Sequence, residues 1–273
     1  MPARSVLFLP ASNPRAIDKA RSLDCDVAIL DLEDAVAPEA KAQARAAAAS
    51  AVRDGGFGPR LGVRVNGADT DWGADDLTAL AEVGAALIVL PKIEESTAVV
   101  CAAEGVPSAR LWAMIETPPA LFRLPEIAGA HPALEALMPG VNDLAAALGT
   151  GASDDREPLK PWLAAVVAAA RARGIAAIDG VFNRFADDEG LARECAQGAL
   201  YGFDGKSLIH PRQIGAANAA FSPSPEAVAR ARAIVAAFDT PEAQGRGAVP
   251  INGEMVERLH LEAARRTLRR AGE

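Results

Sequence analysis

Short apolar runs and longer Ala-rich amphipathic segments alternate along most of the chain, a pattern that predicts alternating strands and helices. The apolar runs are continuous rather than alternating, as in strands buried on both faces of a parallel sheet. They lie at 5–9, 27–32, 61–65, 86–90, 111–115, 136–138, 175–178 and 205–209. The segments predicted as helices include 38–52, 74–83, 96–103, 161–173 and 187–199. Eight strands separated by helices predict an α/β fold, a TIM (β/α)8 barrel.

The end of the chain departs from this alternation. We predict that the barrel covers residues 1–238, with 225–238 as a helix, and that 239–273 form an extension. Residues 240–253 are rich in Gly and Pro and predict a loop, whereas 254–270 are strongly charged and predict a helix. This C-terminal helical extension is in a position to pack on a neighbouring subunit. The competing fold, an open doubly wound sheet, is disfavoured because no G-x-G-x-x-G follows the first strand.

Composition narrows the class of protein. The chain has 273 residues, enough to bury a large core, and a formal net charge of −8 with only 4% aromatic residues. A general nucleic-acid binder is usually basic and uses aromatic side chains for stacking, so that class is disfavoured.

Nothing in the sequence predicts membrane insertion or secretion. No apolar run reaches the roughly 18 residues of a membrane span, and the run at 6–9 is too short for the core of a signal peptide. Cys25, Cys101 and Cys195 are scattered and form no C-x-x-C pair. This arrangement argues against a disulfide framework or a zinc cluster, and it favours the reduced environment of the cytoplasm.

Charged and polar residues follow the predicted strands, where a barrel carries its chemistry. They form the ring Asp31, Glu33, Asp34, Arg64, Asn66, Lys92, Glu94, Glu116, Thr117, Asn142, Asp143, Asp179 and His210. Burying unpaired charge is costly, so core packing does not explain such a ring. For Asp34, Thr117 and Asp143 the alternative interpretation is a helix N-cap, since each precedes an amphipathic segment.

Two of these carboxylates suit a divalent cation. Glu116 and Asp143 follow neighbouring strands, and Mg²⁺ commonly takes one or two carboxylates together with substrate and water oxygens. Zinc is disfavoured because there is no H-x-x-x-H spacing. Arg64 would face the same cavity, and its planar fork suits a carboxylate or a developing oxyanion. No G-x-S-x-G elbow supports a hydrolase triad.

Several longer motifs follow one another along the chain: RSVLFLPASNPRAIDKA, AILDLEDAVAPEAK, VRVNG, LPKIE, MIETP, GVNDLA, AIDGVF and GFDGKSLIHPRQI, followed by FSPS. Together they resemble the citrate lyase β-subunit-like branch of the HpcH/HpaI aldolase superfamily. The resemblance implies a TIM barrel, Mg²⁺ dependence and a homotrimer. It also implies cleavage or formation of a C–C bond in a 3-hydroxyacyl thioester such as citramalyl-, malyl- or citryl-CoA. The products would be an acetyl thioester and a keto acid: oxaloacetate, pyruvate or glyoxylate.

The resemblance also implies roles for individual residues. Glu116 of MIETP and Asp143 of GVNDL would bind the metal and act in catalysis, and Arg64 of VRVNG would bind substrate. As our own hypothesis about the mechanism, Glu33 and Asp34 would lie behind the metal ligands and orient bound water, and Asn142 would hydrogen-bond that water or the substrate. The stretch from Phe8 through Pro10 to Arg15, and the turn at His210, resemble segments that line the path of the thioester carrier.

Position 257 departs from the pattern. Related lyases carry M-[VI]-D, whose aspartate reaches a neighbouring subunit's site as an acid/base, whereas this chain reads Met255-Val256-Glu257. A displacement of about 1 Å can cost roughly 100-fold in rate. The longer Glu257 therefore puts the acid/base role or the usual reaction in question, and a solvated glutamate near a helix start is the other interpretation.

Coenzyme A carries several phosphates, so an acidic chain needs a local basic patch to bind it. Arg15, Lys19 and Arg21 follow the first strand, and Lys206 and Arg212 flank the eighth, which is its neighbour in a closed barrel. The alternative is that each is an ordinary surface charge.

Three other functions remain open at this point. One is a Schiff-base aldolase that uses Lys92 or Lys206 as a desolvated nucleophile. Another is a β subunit of a citrate lyase complex acting on an acyl-carrier-protein thioester. The third is a barrel that has lost catalysis, which the presence of Arg64, Glu116 and Asp143 disfavours.

Overall fold

In the computed structural model the chain forms two compact units, Ala3–Asn218 and Ala219–Glu273. The structure describes residues 3–151, 153–240, 243, 245–251 and 253–272. The boundary precedes the helix 225–238 rather than following it, because that helix shares a small core with the segments after it.

Eight parallel strands close into a barrel in the first unit. They are β1 (Ser5–Pro10), β2 (Val27–Asp31), β3 (Arg60–Arg64), β4 (Leu87–Leu90), β5 (Arg110–Ile115), β6 (Leu134–Pro139), β7 (Ala176–Asp179) and β8 (Gly205–Leu208). β8 pairs with β1, with Ser5 opposite Lys206, and this pairing completes the ring. The predicted TIM-type fold is confirmed, and each strand starts and ends within two residues of its predicted bounds.

Helices join successive strands, and a final helix follows β8. They are α1 (Pro14–Ala20), α2 (Lys41–Asp54), α3 (Gly73–Glu82), α4 (Ser96–Gly105), α5 (Pro118–Phe122), α6 (Leu124–Ala128), α7 (Val141–Leu148), α8 (Lys160–Ala172), α9 (Asp188–Tyr201) and α10 (Ile214–Phe221). Short 3₁₀ turns at Pro38–Ala40, Glu157–Leu159 and Pro211–Gln213 precede α2, α8 and α10.

The barrel interior is filled by side chains, so the ring of strands is a packed core and not a pore. Its buried cluster consists of Val6, Val27, Ile29, Leu87, Val89, Trp112, Met114, Ala136, Met138 and Ile178. Burial of apolar surface at roughly 25 cal/mol per Å² is the main force that holds these strands together. Met114 and Met138 of this cluster also line a cavity at the carboxyl ends of the strands.

The second unit differs from its prediction. α11 (Pro225–Phe238) is confirmed, but β9 (Ala248–Ile251) and β10 (Glu254–Glu257) form an antiparallel hairpin where a loop and a helix start were predicted. α12 (Arg258–Ala271) then begins four residues later than expected. Val249 and Val256, directly opposite each other in the hairpin, are buried among Ile234, Phe238 and Leu261. This shared core overrides the helix pattern of the sequence.

All three cysteines are unpaired, with Cys25 and Cys195 buried and Cys101 exposed. Across the described part of the chain, no helix combines the length and the apolar character needed to cross a membrane.

Candidate active site

A cavity of about 510 Å³ opens at the carboxyl ends of the barrel strands. Its lining includes Phe8, Pro10, Asp31, Asp34, Arg64, Met114, Glu116, Asn142, Asp143 and Val181. Four carboxylates and one guanidinium are among these residues, so the cavity is strongly negative. The parallel topology brings these side chains together, because each lies at or just after the end of a strand.

Arg64, at the end of β3, is held by three carboxylates. Its Nε and Nη2 each donate a 2.7 Å hydrogen bond to Asp31 at the end of β2. Nη1 donates to Asp34 Oδ2 at 3.3 Å and lies 2.8 Å from Glu33 Oε2. Burial alone would lower the pKa of Arg64, but these three carboxylates raise it overall. Arg64 is therefore a fixed cation, and its guanidinium carbon lies 5.3 Å from the centre of the Phe8 ring.

Glu33 connects Arg64 to a second cation. Its Oε1 accepts a 2.7 Å hydrogen bond from Lys92 Nζ, while Oε2 faces Arg64 as an ion pair without a hydrogen bond from the described residues. Burial raises the pKa of Glu33, and Arg64 and Lys92 oppose that rise. Glu33 is thus a shared anion between the ends of β3 and β4.

Glu116, which follows β5, is a buried carboxylate in the wall of the cavity. It is 1% exposed, and Oε1 accepts a 2.7 Å hydrogen bond from the backbone N–H of Lys92. Burial first, and then the negative charge of Glu33, raises the pKa of Glu116 to about 7. Asp143, in the first turn of α7, adds to this repulsion. Neither Glu116 nor Asp143 has an ion-pair partner among the described residues.

These two carboxylates fit a bound divalent cation. Both line the same cavity, neither has an ion-pair partner among the described residues, and Arg64 only partly offsets the negative charge around Glu116. Hard oxygen donors of this kind are what Mg²⁺ prefers. In the described ranges, no group of three His, Cys, Asp or Glu side chains is arranged to hold a metal by itself. A cation here would complete its coordination with substrate and water oxygens, as Mg²⁺ commonly does.

The helix N-cap interpretation holds only for the position of Thr117. Thr117 is the N-cap residue of α5, but its hydroxyl makes no capping bond and is buried without a hydrogen-bond partner among the described residues. Asp143 lies inside α7, whose N-cap is Gly140. Asp34 hydrogen-bonds Arg64 and caps no described helix.

Neither candidate Schiff-base lysine is a free amine. Contact with Glu33 raises the pKa of Lys92, which keeps it protonated. Lys206 is fully buried, with Nζ 3.0 Å from Asp179 and 2.7 Å from Glu194. Arg156 lies 2.8 Å from the other Asp179 oxygen, so this cluster is a buried ion-pair network that ties β7 and β8 to neighbouring segments.

The predicted basic patch is only partly present. Arg15 and Lys19 are exposed on α1 and have no ion-pair partner in the described part of the chain. The prediction that Lys206 and Arg212 converge on the same patch is wrong. Lys206 is buried in the network above, and Arg212 pairs with Asp188 at 3.0 Å. Arg21 lies over the Phe57 ring, 4.4 Å from its centre.

Of the residues predicted along the carrier's path, Phe8 and Pro10 line the cavity, and so does Asn142, which was predicted to hydrogen-bond substrate or metal-bound water. Asn142 exchanges amide hydrogen bonds of 3.3 and 2.7 Å with Asn183. His210 is not among the lining residues. Its ring stacks on that of Phe185, with 5.2 Å between the ring centres, and its Nδ1 accepts a hydrogen bond from the backbone N–H of Arg212.

Glu257 lies in the second unit, as the last residue of β10 and the N-cap of α12. Its side chain is exposed, and its backbone N–H donates a 2.9 Å hydrogen bond to His260 Nδ1. Its catalytic role stays a prediction.

Two residues that support the site were missed from the sequence. Lys41 on α2 is buried and donates to the carbonyls of Leu32 and Glu33 at 2.7 Å and to Asn66 Oδ1 at 2.6 Å. Asn66 in turn donates to Asp76 through both its backbone and side-chain nitrogens. A signal for Lys41 was present, because it precedes the buried positions 44 and 48 on the same face of the helix. Gly140, the second missed residue, packs directly on Glu116.

Comparison with known proteins identifies the family of the chain. The family model for HpcH/HpaI aldolase/citrate lyase matches residues 4–211. A (3S)-malyl-CoA thioesterase of Cereibacter sphaeroides is 46% identical, covering 99% of this chain and 95% of that protein. An L-malyl-CoA/β-methylmalyl-CoA lyase of the same species is 36% identical with the same coverage of both chains.

Among solved structures, CitE of Mycobacterium tuberculosis in complex with magnesium, acetoacetate and coenzyme A is 36% identical, with a TM-score of 0.79. The match covers 100% of this chain and 99% of CitE. The resemblance seen in the motifs is confirmed, and so is the expectation that Mg²⁺ is a cofactor in this family.

Proposed function

The chain belongs to the HpcH/HpaI aldolase/citrate lyase family, and from its site we propose that it is a Mg²⁺-dependent enzyme acting on the CoA thioester of a small 3-hydroxydicarboxylic acid of the malyl-CoA type. We further propose that its net reaction is hydrolysis of that thioester. This second proposal is supported by sequence identity: the malyl-CoA thioesterase is 46% identical to this chain, whereas the lyase is 36% identical.

One observation carries the proposal: Glu116 and Asp143 line one cavity beside Arg64, and neither has an ion-pair partner among the described residues. They are the residues that would hold Mg²⁺. The ion would supply Lewis-acid polarisation and a fixed orientation for substrate oxygens.

Arg64 would orient the substrate's anionic end. A guanidinium has five N–H groups: Nε and Nη2 donate to Asp31, and Nη1 donates to Asp34 and to Met114 Sδ, which leaves one N–H of Nη2 for a ligand. Because those carboxylates fix the guanidinium, it needs no reorganisation to stabilise charge that develops on a substrate oxygen. Phe8 and Met114 give the cavity an apolar wall that keeps water away from the acyl chain.

The two reactions of this family differ in which bond breaks. In hydrolysis, water adds to the thioester carbonyl, the C–S bond breaks and the CoA thiol leaves with a proton. In cleavage, the 3-hydroxyl loses its proton, the C–C bond breaks, and the thioester enolate takes up a proton to give an acetyl thioester and a keto acid. C–C cleavage is the second candidate, favoured by the lyase relative.

We propose that the proton transfer uses Glu257 within a homotrimer, as the resemblance implies. The longer side chain of Glu257, relative to the lyases' aspartate, is the feature that would separate hydrolysis from cleavage. Comparison of Glu257→Asp and Glu257→Gln by the ratio of the two product sets would test this role.

The cations on α1 favour coenzyme A as the carrier. Arg15 and Lys19 are exposed and available for phosphates, and CitE is complexed with coenzyme A. If none of the CoA thioesters in the assay below is turned over, an acyl-carrier-protein thioester becomes the favoured substrate. The cytoplasmic location favoured by three unpaired cysteines is part of this proposal.

The test is an assay of purified protein on malyl-, citramalyl- and citryl-CoA, each with Mg²⁺ and with excess EDTA. Chromatography separates free CoA from acetyl-CoA, which avoids thiol reagents that would also label Cys101. We expect Mg²⁺-dependent release of CoA and malate from malyl-CoA. Acetyl-CoA and glyoxylate would instead establish the lyase, and turnover that survives EDTA would overturn the metal assignment.

Glu116→Gln and Asp143→Asn should lower kcat/KM by at least about 100-fold, since each removes a proposed ligand of the ion. Glu104→Gln, an exposed glutamate on α4, is the matched control and should retain activity. Equal activity of Glu116→Gln and Glu104→Gln would contradict the proposal.

A further inference from the structure

Lys92 has a backbone conformation that is unusual for a residue with a side chain. Its φ is +49°, in the left-handed region, and Arg156 is the only other non-glycine residue with positive φ in the described ranges. Glycine adopts this conformation without strain, whereas a β-carbon makes it unfavourable. A lysine here therefore calls for a compensating interaction of its side chain.

The left-handed turn places the backbone of Lys92 against one catalytic carboxylate. Its N–H donates a 2.7 Å hydrogen bond to Glu116 Oε1, and the next residue, Ile93, donates its N–H to the carbonyl of Met114. These two bonds fix the end of β4 against β5. The backbone thus determines where one oxygen of Glu116 points.

The side chain of the same residue binds a different carboxylate. Lys92 Nζ lies 2.7 Å from Glu33 Oε1 and 3.9 Å from Asp34 Oδ1. Glu33 Oε2 lies 2.8 Å from Arg64 Nη1. Lys92 is thus joined to Glu116 by its backbone and to Arg64 by way of Glu33.

We propose that Lys92 is a positioning residue that couples the two halves of the site: its strained backbone holds Glu116, and its ammonium holds Glu33 against Arg64. Its role in turnover rests on the proposed function. The ammonium does not act as a nucleophile, because it remains paired with Glu33. Its loss would free Glu33 to turn, and Arg64 would lose one of its three fixed anions.

The backbone part is tested by thermal unfolding of Lys92→Gly and Lys92→Ala. Both lose the ammonium, but only glycine relieves the left-handed strain, so Lys92→Gly should have the higher Tm. Lys160 provides the matched control, because it begins α8 with φ −50° and an ordinary helical backbone. There the order should reverse, since alanine is the better helix former. A higher Tm for Lys92→Ala than for Lys92→Gly would overturn the backbone role.

The side-chain part is tested with Lys92→Met and Lys92→Arg. Lys92→Met should lower kcat/KM by about 10- to 100-fold, the usual range for a group that orients catalytic residues, and Lys92→Arg should recover most of it. Mg²⁺ affinity, measured by calorimetry without substrate, should not weaken in Lys92→Met, because removing a nearby positive charge favours cation binding. A purely structural role would weaken turnover and Mg²⁺ binding together.

Wild-type kcat/KM in Lys92→Met, or loss of Mg²⁺ binding in parallel with turnover, would overturn the side-chain role. Wild-type protein that neither binds Mg²⁺ nor turns over any thioester would overturn the proposed function instead. The Tm order of Lys92→Gly and Lys92→Ala would still test the backbone role in that case.

Discussion

Gly140 and Glu116 are in close contact. A β-carbon at position 140 would overlap the Glu116 carboxylate and would lie 2.5 Å from the β-carbon of Glu116. Gly140 follows β6, and Glu116 follows β5, so the two strand ends meet at this point. The absence of a side chain at 140 is what leaves room for the buried carboxylate in the cavity.

Gly140→Ala should therefore displace Glu116 and lower kcat/KM by about 100-fold or more, since a shift of about 1 Å has that effect on catalytic groups. Gly105→Ala is the matched control, because a β-carbon at 105 meets no atom within 4 Å. Steady-state kinetics and circular dichroism of both variants are the measurement. Full activity in a folded Gly140→Ala protein would show that Glu116 does not need this position.

Arg64→Lys should destabilise the fold as well as the reaction. One ammonium cannot make the paired hydrogen bonds to Asp31 and also reach Glu33 and Asp34. Breaking part of a buried ion-pair cluster costs about 3–5 kcal/mol when a charge is left unpaired. Urea unfolding should give a loss of that order or somewhat less, because Lys retains the charge. Unchanged stability would mean that the three carboxylates are not held by Arg64 in solution.

Asp179 should contribute to the loss of stability in acid. Although burial opposes it, contact with Lys206 and Arg156 lowers the pKa of Asp179 below its ordinary value of 3.8. Its contribution to the free energy of unfolding is therefore complete above about pH 4, the unfolded pKa, and is lost as pH falls through the lower folded pKa.

Asp179→Asn should be less stable at pH 7 and should decline less steeply below pH 4 than the wild type. Urea unfolding at several pH values gives the free energy of unfolding of each protein at pH 7 and its decline below pH 4. Because this variant leaves Lys206 with one carboxylate and can fail to fold, Glu194→Gln offers a milder change in the same network. Equal acid slopes in wild type and a folded Asp179→Asn protein would contradict the prediction.

The three thiols should differ in reactivity. Cys25 and Cys195 are buried, and burial raises the pKa of each to about 11, so few thiolates form at pH 8. Cys101 is exposed on α4. A disulfide reagent such as Ellman's should label one thiol quickly in native protein and three in denaturant. Rapid labelling in native Cys101→Ser would contradict the burial of the other two.

Mg²⁺ should stabilise the protein in the absence of substrate. A ligand that binds only the folded state at 100 times its dissociation constant adds about 2.7 kcal/mol to the free energy of unfolding. The rise in Tm on adding Mg²⁺ should disappear in Glu116→Gln and persist in Glu104→Gln. A rise that persists in Glu116→Gln would place the ion elsewhere on the protein.

The sequence was sufficient to predict the barrel, because the patterns that distinguish strands from helices are local. Continuous apolar runs alternate with amphipathic segments, and the polar residue after each run marks the end where a barrel carries its site. Glu116, Asp143, Arg64 and Asn142 were found in this way, and the cavity brings them together.

Only the tertiary structure decided which partners those residues have. Arg64 contacts Asp31, Glu33 and Asp34 because β2 and β3 are neighbours with Asp31 opposite Arg64. The left-handed backbone of Lys92 and the close packing of Gly140 on Glu116 arise from contacts between strand ends that are distant in sequence. The hairpin at 248–257 likewise exists because Val249 and Val256 are buried together. Periodicity reports which face of an element is buried, but only the packed chain determines which atoms meet there.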